Sequence, residues 1–395
     1  MGIAVSQQAI GYLFTPGLYT EDQVEAWESV TQAVHTSGGR IFAQLWHMGR
    51  MSHHSLLEQD GAPVSPVARP AIEGCAYAWT TPGVPGQVAA SAPRALETEE
   101  VIAIVSNFVA AGRRAIQAGF DGVEVHAGNG YLFEQFINGE LNTRKDCYGG
   151  SIENRMRLLL ETIDSVSHAI GARRVGVSIS PVGWTNDMHP FDDETQTWLA
   201  LAAELGRREL AYVHLSDQHI IGADCGSDFF DKFRKAYPGT LIIAGGFDQQ
   251  SAENALQAGK ADLIGYGSSF IANPDLVERM ANGWPLAQAD RETFYGLHGA
   301  RGYTDYPSYT KRPESASPKP PLSIKSSPTG NAKSEIRKSG LSLSDLEARS
   351  TLTSIRDDFF ATWSDGNWQE LNPVLAEDAL LISSQHGEGT GEAAW

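Results

Sequence analysis

Cysteine is scarce in this chain of 395 residues, with Cys75, Cys147 and Cys225 far apart and in no CxxC spacing. That excludes a disulfide framework and a thiolate zinc site, and it points to a reducing, cytoplasmic compartment. Positive charge is also in deficit: 30 Lys and Arg face 48 Asp and Glu, for a formal net charge of −18. A field of that sign repels nucleic acid and anionic lipid and leaves room only for a local basic pocket around a phosphate. No apolar run approaches the roughly 18 residues that a membrane helix needs. The opening Met1-Gly2-Ile3-Ala4-Val5-Ser6 lacks the basic segment and long apolar stretch of a secretory leader. No GxGxxG opens a helix after any candidate strand, so the dinucleotide fingerprint of an open doubly wound sheet is missing.

Hydrophobic residues make up 42% of the chain and glycine accounts for 40 positions, enough for one large globular domain plus a smaller one. Thr20-Glu21-Asp22-Gln23 reads as a capping box, and Val24, Trp27, Thr31 and Val34 mark one face of a helix ending near Ser37-Gly38-Gly39. A strand from Arg40 to Trp46 follows. The pattern then repeats, with helix 98–118 before strand 122–126, helix 151–170 before strand 175–179, and helix 193–208 before strand 211–215. A short span ending at Tyr237-Pro238-Gly239 precedes strand 241–244, and helix 249–258 precedes strand 262–266. Six apolar strands alternating with helices predict a parallel sheet covered on both faces. An open sheet and a barrel both satisfy that pattern.

The stretch Val123-Glu124-Val125-His126-Ala127-Gly128-Asn129-Gly130-Tyr131 discriminates more. A β-branched run opens into His126, Asn129 and Tyr131 just past its C-terminal end, which in an α/β barrel is the catalytic face. Two neutral donors beside a phenol suit a reaction in which negative charge builds on a carbonyl oxygen while a proton is delivered nearby. The plainer reading is a polar cluster that only tidies a loop. The last two strands end in Ala244-Gly245-Gly246-Phe247 and Gly265-Tyr266-Gly267-Ser268-Ser269. Small residues there, ahead of helix N-termini, meet the need of a barrel's phosphate site after its final strands, although each pair alone could serve a tight turn.

Residues 47–97, long and rich in Pro and Gly, predict a lid or excursion over the barrel mouth. Residues 311–340 are Pro/Ser/Lys-rich and read as a linker, so the domain reading is 1–310, 311–340 and 341–395. In the last part an amphipathic helix carries Leu352, Ile355, Phe359 and Trp363, ahead of a second short helix and a strand Ala379 to Ile382.

Several motifs, in order, carry a family resemblance. Thr15-Pro16-Gly17-Leu18-Tyr19, the run from Gly39 to Arg50, the His126-to-Tyr131 cluster, Tyr148-Gly149-Gly150-Ser151-Ile152-Glu153-Asn154-Arg155, Phe270 to Leu276 and Gly302 to Pro307 resemble the old yellow enzyme family of ene reductases. The likeness spans about residues 1–310. It implies an FMN-dependent (β/α)8 TIM barrel in which reduced flavin, charged by NADPH or NADH, passes hydride to an electron-poor alkene. His126 and Asn129 would grip the activating oxygen of an α,β-unsaturated small molecule and Tyr131 would protonate its α-carbon. Gln44 would bond the flavin's pyrimidine edge, and Gly245, Gly246, Gly267 and Ser268 would cradle its phosphate. Phe294 and Tyr295 would line the substrate side of the ring.

Against that pattern the chain starts where the family's second strand is ending, so the first one to two strands are expected to be missing. Exposed edges at 40–46 and 262–266 then predict self-association. Ser178 and Ser268 stand where the family has arginines that face the reduced ring and the phosphate, and each lost charge-assisted bond weakens FMN by about 1.5–3 kcal/mol. The tail resembles the start of an NTF2-like α+β cone of the polyketide cyclase type over about 50 residues around Ile355 to Ala379. An amphipathic appendage that docks elsewhere fits it equally. Two other functions stay open at this point: a flavin-independent isomerase or cyclase on the same scaffold, and a non-catalytic remnant.

Overall fold

The structure, a computed structural model, describes residues 2–183, 185–216, 228–294 and 300–310. The linker, the tail and Tyr295 lie outside the described residues. In chain order the elements are β1 (Ile3–Ala4), α1 (Glu21–Thr36), β2 (Phe42–Trp46), β3 (Val64–Ser65), β4 (Cys75–Thr81), β5 (Val84–Ala89), β6 (Arg94–Ala95), α2 (Thr98–Gln117) and β7 (Gly122–His126). They continue with α3 (Leu132–Ile137), α4 (Ile152–Ile170), β8 (Val175–Ile179), α5 (Glu194–Gly206), β9 (Tyr212–Ser216), α6 (Phe229–Ala236), β10 (Leu241–Ala244), α7 (Gln249–Gln257), β11 (Leu263–Gly265), α8 (Ser268–Ala272) and α9 (Leu276–Asn282).

Seven strands form one parallel sheet in the order β1-β2-β7-β8-β9-β10-β11. The six expected from periodicity are all present, and Ile3–Ala4 adds a seventh, paired with Leu45 and Trp46. The predicted edge at Arg40–Trp46 is therefore corrected: β2 begins at Phe42 and has β7 on one side and β1 along its last two residues on the other. At the opposite end β11 is shorter than expected, and Leu263 is exposed there.

Period-two alternation sorts the strands into two faces. Ala43, Leu45, Val123, Val125, Val175, Val177, Val213, Leu215, Leu241 and Ile243 alternate with the polar set and join one buried core with Val101, Ile104 and Phe108 of α2 and Leu158, Leu159 and Ile163 of α4. The opposite, inward row is Gln44, Glu124, His126, Ser178, His214 and Ser216, with Phe42 and Tyr212 meeting beneath it at a ring-centroid distance of 5.4 Å. Glycine makes that lower layer possible, since a Cβ on Gly176 would stand 2.4 Å from the Tyr212 ring and one on Gly122 as close to Phe42.

Helix α1 starts on the capping box read from Thr20 and Gln23, with both reciprocal bonds formed. Its buried Thr31 donates to the Ala118 carbonyl at 2.6 Å, joining α1 to the end of α2. The long segment 47–97 is an excursion with structure of its own. β4 and β5 form an antiparallel hairpin across Pro82-Gly83, and β3 pairs with β6. The hairpin leans on the N-terminal segment through Leu13 N–H donating to Tyr77 O at 2.7 Å, over a small core of Leu56, Ala76 and Ala78.

Arg155, in the Asn154-Arg155 end of the Gly-Gly-Ser motif, ties three helices together. Its guanidinium donates to Ile137 O at 3.0 Å and Gly150 O at 2.7 Å, and to both Asp193 oxygens at 2.7 and 2.8 Å. With the side chain almost wholly buried, its loss strands two carbonyls and a carboxylate. Arg155→Ala is expected to destabilise the fold by on the order of 3 kcal/mol, measured as a lower urea midpoint at unchanged m-value, and Asp193→Ala by less because that carboxylate is partly in water.

Candidate active site

The strand β7 delivers His126 to the rim of the sheet, and the chain then turns through Ala127-Gly128-Asn129-Gly130 into α3, whose N-cap is Tyr131. His126, Asn129 and Tyr131 are 3%, 3% and 0% exposed. The turn requires left-handed backbone at Asn129 (φ 56°) and Gly130 (φ 72°). Asn tolerates that region better than most residues, and a Cβ on Gly130 would stand 2.5 Å from Thr185 O.

Buried side chains hold each exposed edge of this turn. Asn129 N–H donates to Ser180 Oγ at 2.6 Å, and Ser180 Oγ donates to Glu134 Oε2 at 2.9 Å. Gly130 N–H donates to the same Glu134 oxygen at 2.8 Å, while Gln135 Nε2 donates to Gly130 O at 2.8 Å and Met48 O at 3.2 Å. Asn186 Nδ2 donates to Asn129 O at 2.7 Å from the loop after β8. That loop is fastened in turn by Arg50, whose buried guanidinium donates to Asp187 O at 2.7 Å.

Aromatic rings surround the cluster. Tyr131 packs edge-on to Trp46 at 5.2 Å and lies 5.4 Å from the His126 ring, which is 6.1 Å from Trp46. His47, next in the chain, is wholly buried, and desolvation pushes its imidazole down to about 3, so it stays neutral and accepts from Gly49 N–H at 3.1 Å.

A second layer lies one turn of the strand pattern below. Gln44 Nε2 donates to Glu124 Oε1 at 2.7 Å, and His214 Nδ1 stands 3.2 Å from Glu124 Oε2. Burial pushes the Glu124 carboxyl up, yet His214, Gln44 and His126 together bring it below the ordinary value, so an anion is retained inside the sheet. Ser178 sits in register between His126 and His214, buried, so the position where an arginine was expected to stand holds a small hydroxyl.

The glycine segments meet at the other end of the sheet. β10 and β11 pair with Ala244 opposite Gly265, which sets Gly245-Gly246 beside Tyr266-Gly267-Ser268. Gly246 has φ 68°, Gly267 is the N-cap of α8, and Ser268 is its exposed first residue. β8 and β9 separate this segment from His126, so the structure places the two sets at the same rim but not in contact.

Two features of this chain fit a flavin mononucleotide. His214 Nε2 is buried inside the sheet without a protein partner, as expected of a group that completes its bonding on a ligand, and the paired strand ends of β10 and β11 open into glycine turns that let a phosphate approach the backbone. The chain matches the NADH:flavin oxidoreductase / NADH oxidase family over residues 1–287. It belongs to that family, the old yellow enzymes. It is similar to the putative 12-oxophytodienoate reductase 11 of Oryza sativa subsp. japonica, 38% identical over 311 residues, which are 77% of this chain and 82% of that protein. The 12-oxophytodienoate reductase 2 of Arabidopsis thaliana is 38% identical over 314 residues, 77% of this chain and 80% of that one. Among solved structures, morphinone reductase in complex with tetrahydroNAD superposes with a TM-score of 0.75 at 40% identity, covering 78% of this chain and 84% of its own. The old yellow enzyme homologue from Zymomonas mobilis gives 0.73 at 35%, covering 78% and 85%. The fold is thus the α/β TIM-barrel type, and the enzyme is an FMN-dependent, nicotinamide-driven alkene reductase acting on small molecules.

Trp46, Glu134, Gln135, Ser180 and the Glu124–His214 pair were not singled out from sequence. Their signal was a polar residue inside an apolar run: Glu134 and Gln135 in Leu132-Phe133-Glu134-Gln135-Phe136-Ile137, and His214 in Tyr212-Val213-His214-Leu215.

Burial raises the Glu134 carboxyl from 4.5 to about 8, against the bonds from Gly130 and Ser180 that pull it down. The folded protein therefore binds this proton more tightly than the unfolded chain does. Stability from Glu134 is complete below about 4.5 and declines as pH rises to about 8, by a few kcal/mol in all. Denaturant titrations across that window should show the decline in the native protein, and Glu134→Gln should flatten it.

Proposed function

We propose that His126 and Asn129 bind the electron-withdrawing oxygen of an α,β-unsaturated substrate while Tyr131 protonates the α-carbon. The observation that carries this reading is the convergence of His126, Asn129 and Tyr131 on a buried rim, with the turn beneath them fixed by Glu134, Ser180 and Gln135. FMN, when bound, supplies the hydride that NADPH or NADH has provided. The donors are held before reaction, so charge developing on the substrate oxygen meets dipoles that need not reorganise. Exclusion of water by Trp46 and the buried His47 strengthens those bonds.

Gln44, oriented by its bond to Glu124, would face the pyrimidine edge of the flavin, and Gly245, Gly246, Gly267 and Ser268 would hold the phosphate. Tyr295 is assigned to the substrate side by resemblance alone. Residues 1–310 would form the catalytic unit, with the linker and tail outside it. Cys75 and Cys147 are free thiols, which supports a cytoplasmic setting, and no helix among the described residues is long and apolar enough to cross a membrane. The acidic surplus supports a role without nucleic acid. The exposed Leu263 end of β11 supports self-association.

Purified protein should carry a visible flavin absorption band. Tyr131→Phe should slow reoxidation of the reduced enzyme by alkene by about 10²–10⁴-fold while leaving flavin reduction by the nicotinamide within about twofold. His126→Ala combined with Asn129→Ala should abolish the charge-transfer band with a bound phenol; a surviving band would show that the oxygen binds elsewhere.

Ser268→Arg adds a charge at the phosphate end. Apoprotein titrated with FMN should bind about tenfold tighter or better, and the gain should shrink as salt rises. Equal affinity would show that the phosphate lies away from residue 268.

A further inference from the structure

Tyr131 is fully buried, so a phenolate left there after proton transfer has no direct contact with water. The Tyr12 Oη lies 3.4 Å from the Tyr131 Oη. Tyr12 is half-buried and tilts against Trp46 at 6.2 Å, and its backbone is anchored by the bridge to Tyr77 and by Thr15 Oγ1 donating to its carbonyl at 2.8 Å. The same residue lines a cavity of about 390 Å3, set between the N-terminal segment, the β4–β5 hairpin and the turn at 55–58. Gln7, Thr15, Ser55, Glu58 and Trp79 complete the part of the wall that matters here. Glu58 is exposed, so this cavity reaches bulk solvent, and its mixed wall offers Gln7, Thr15, Ser55 and Glu58 as polar partners with room for several waters.

We infer that Tyr12 is a proton relay, returning a proton from this water-accessible cavity to Tyr131 after each turnover. The inference rests on Tyr131 being the acid. In each cycle the Tyr131 O–H bond breaks as a C–H bond forms on the substrate. Tyr12 then gives its hydroxyl proton to the Tyr131 phenolate and takes one from a cavity water or a buffer acid, so the cycle consumes one solvent proton for each hydride delivered. The resting separation of 3.4 Å is long for two hydroxyls. A phenolate attracts the neighbouring donor more strongly than a phenol does, so the contact shortens when the relay is needed.

The test compares Tyr12→Phe with the native enzyme and with Tyr131→Phe, in stopped flow with excess nicotinamide and alkene. Tyr12→Phe keeps the ring and starts with Tyr131 protonated, so its first turnover should match the native rate within about twofold. Later turnovers should fall by about tenfold or more, giving a burst of one equivalent, and added imidazolium should restore them. In flavin-free protein the 13Cζ resonance of Tyr131 should shift when Tyr12 becomes Phe. An unchanged steady state would overturn the relay, as would a first turnover slowed together with the rest, which is what a purely structural Tyr12 would give. A native-like first turnover in Tyr131→Phe would remove the acid itself, and the relay would fall with it. A burst-free Tyr12→Phe beside a crippled Tyr131→Phe overturns the relay alone.

Discussion

The left-handed turn at Asn129-Gly130 is the constraint on which the candidate site depends. A strand that simply ran on into a helix would carry its next polar side chains away from His126. Two successive residues at φ 56° and 72° reverse the chain within a single turn and bring Tyr131 back to 5.4 Å from the His126 ring. That conformation is costly for Asn, on the order of 1 kcal/mol or more, and it persists because its amides and carbonyls are all claimed. Ser180 and Glu134 take the two N–H groups, while Asn186 and Gln135 supply donors to the two carbonyls. All four of these partners come from elements other than β7, Ser180 and Asn186 from beyond β8 and Glu134 and Gln135 from α3, so the site is rigid only when β8, α3 and the loop after β8 are assembled. Stability and site geometry are here the same set of bonds.

Beneath the turn, the inside of the sheet is unusual for a core because it retains charge. An isolated carboxylate at the Glu124 position would be protonated by burial, yet the His214 imidazole and the Gln44 amide keep it anionic. The two residues it organises come from β2 and β9, on either side of β7 and β8. Gln44 is thereby held with one amide hydrogen engaged and its oxygen free, the orientation a ring edge offering N–H donors would require. Replacing such a network by apolar residues of equal volume could leave the fold as stable, so its presence here argues for orientation of a ligand rather than for stability.

Much of this was legible in the sequence because the signals were local. Thr20 and Gln23 cap α1 as their spacing implied, and β-branched runs marked six strands to within about two residues. The seventh was not visible because two residues, Ile3–Ala4, carry no period. The β4–β5 hairpin was missed although Pro82-Gly83 lies between two strand-like runs, since the surrounding glycines and prolines suggested an irregular lid. His126, Asn129 and Tyr131 could be grouped from their spacing, but the residues that position them could not. Glu134 contacts the turn only because α3 doubles back, and Ser180 is 51 residues from the amide it holds.

Charge distribution is where this chain departs most from what its family resemblance implied, and geometry limits what the departure means. Ser178 lies in register between His126 and His214, buried inside the sheet beside the Glu124–His214 contact. Ser268, by contrast, is exposed at the start of a five-residue helix, where an added side chain would meet solvent and not the core. A charge at residue 178 would change the field inside the sheet, where the effective dielectric is low and one charge matters most. One at residue 268 would change a surface contact that salt screens. With FMN held as proposed, the two serines would act on separable properties: residue 178 on how readily electrons are accepted, and residue 268 on how tightly the cofactor is held.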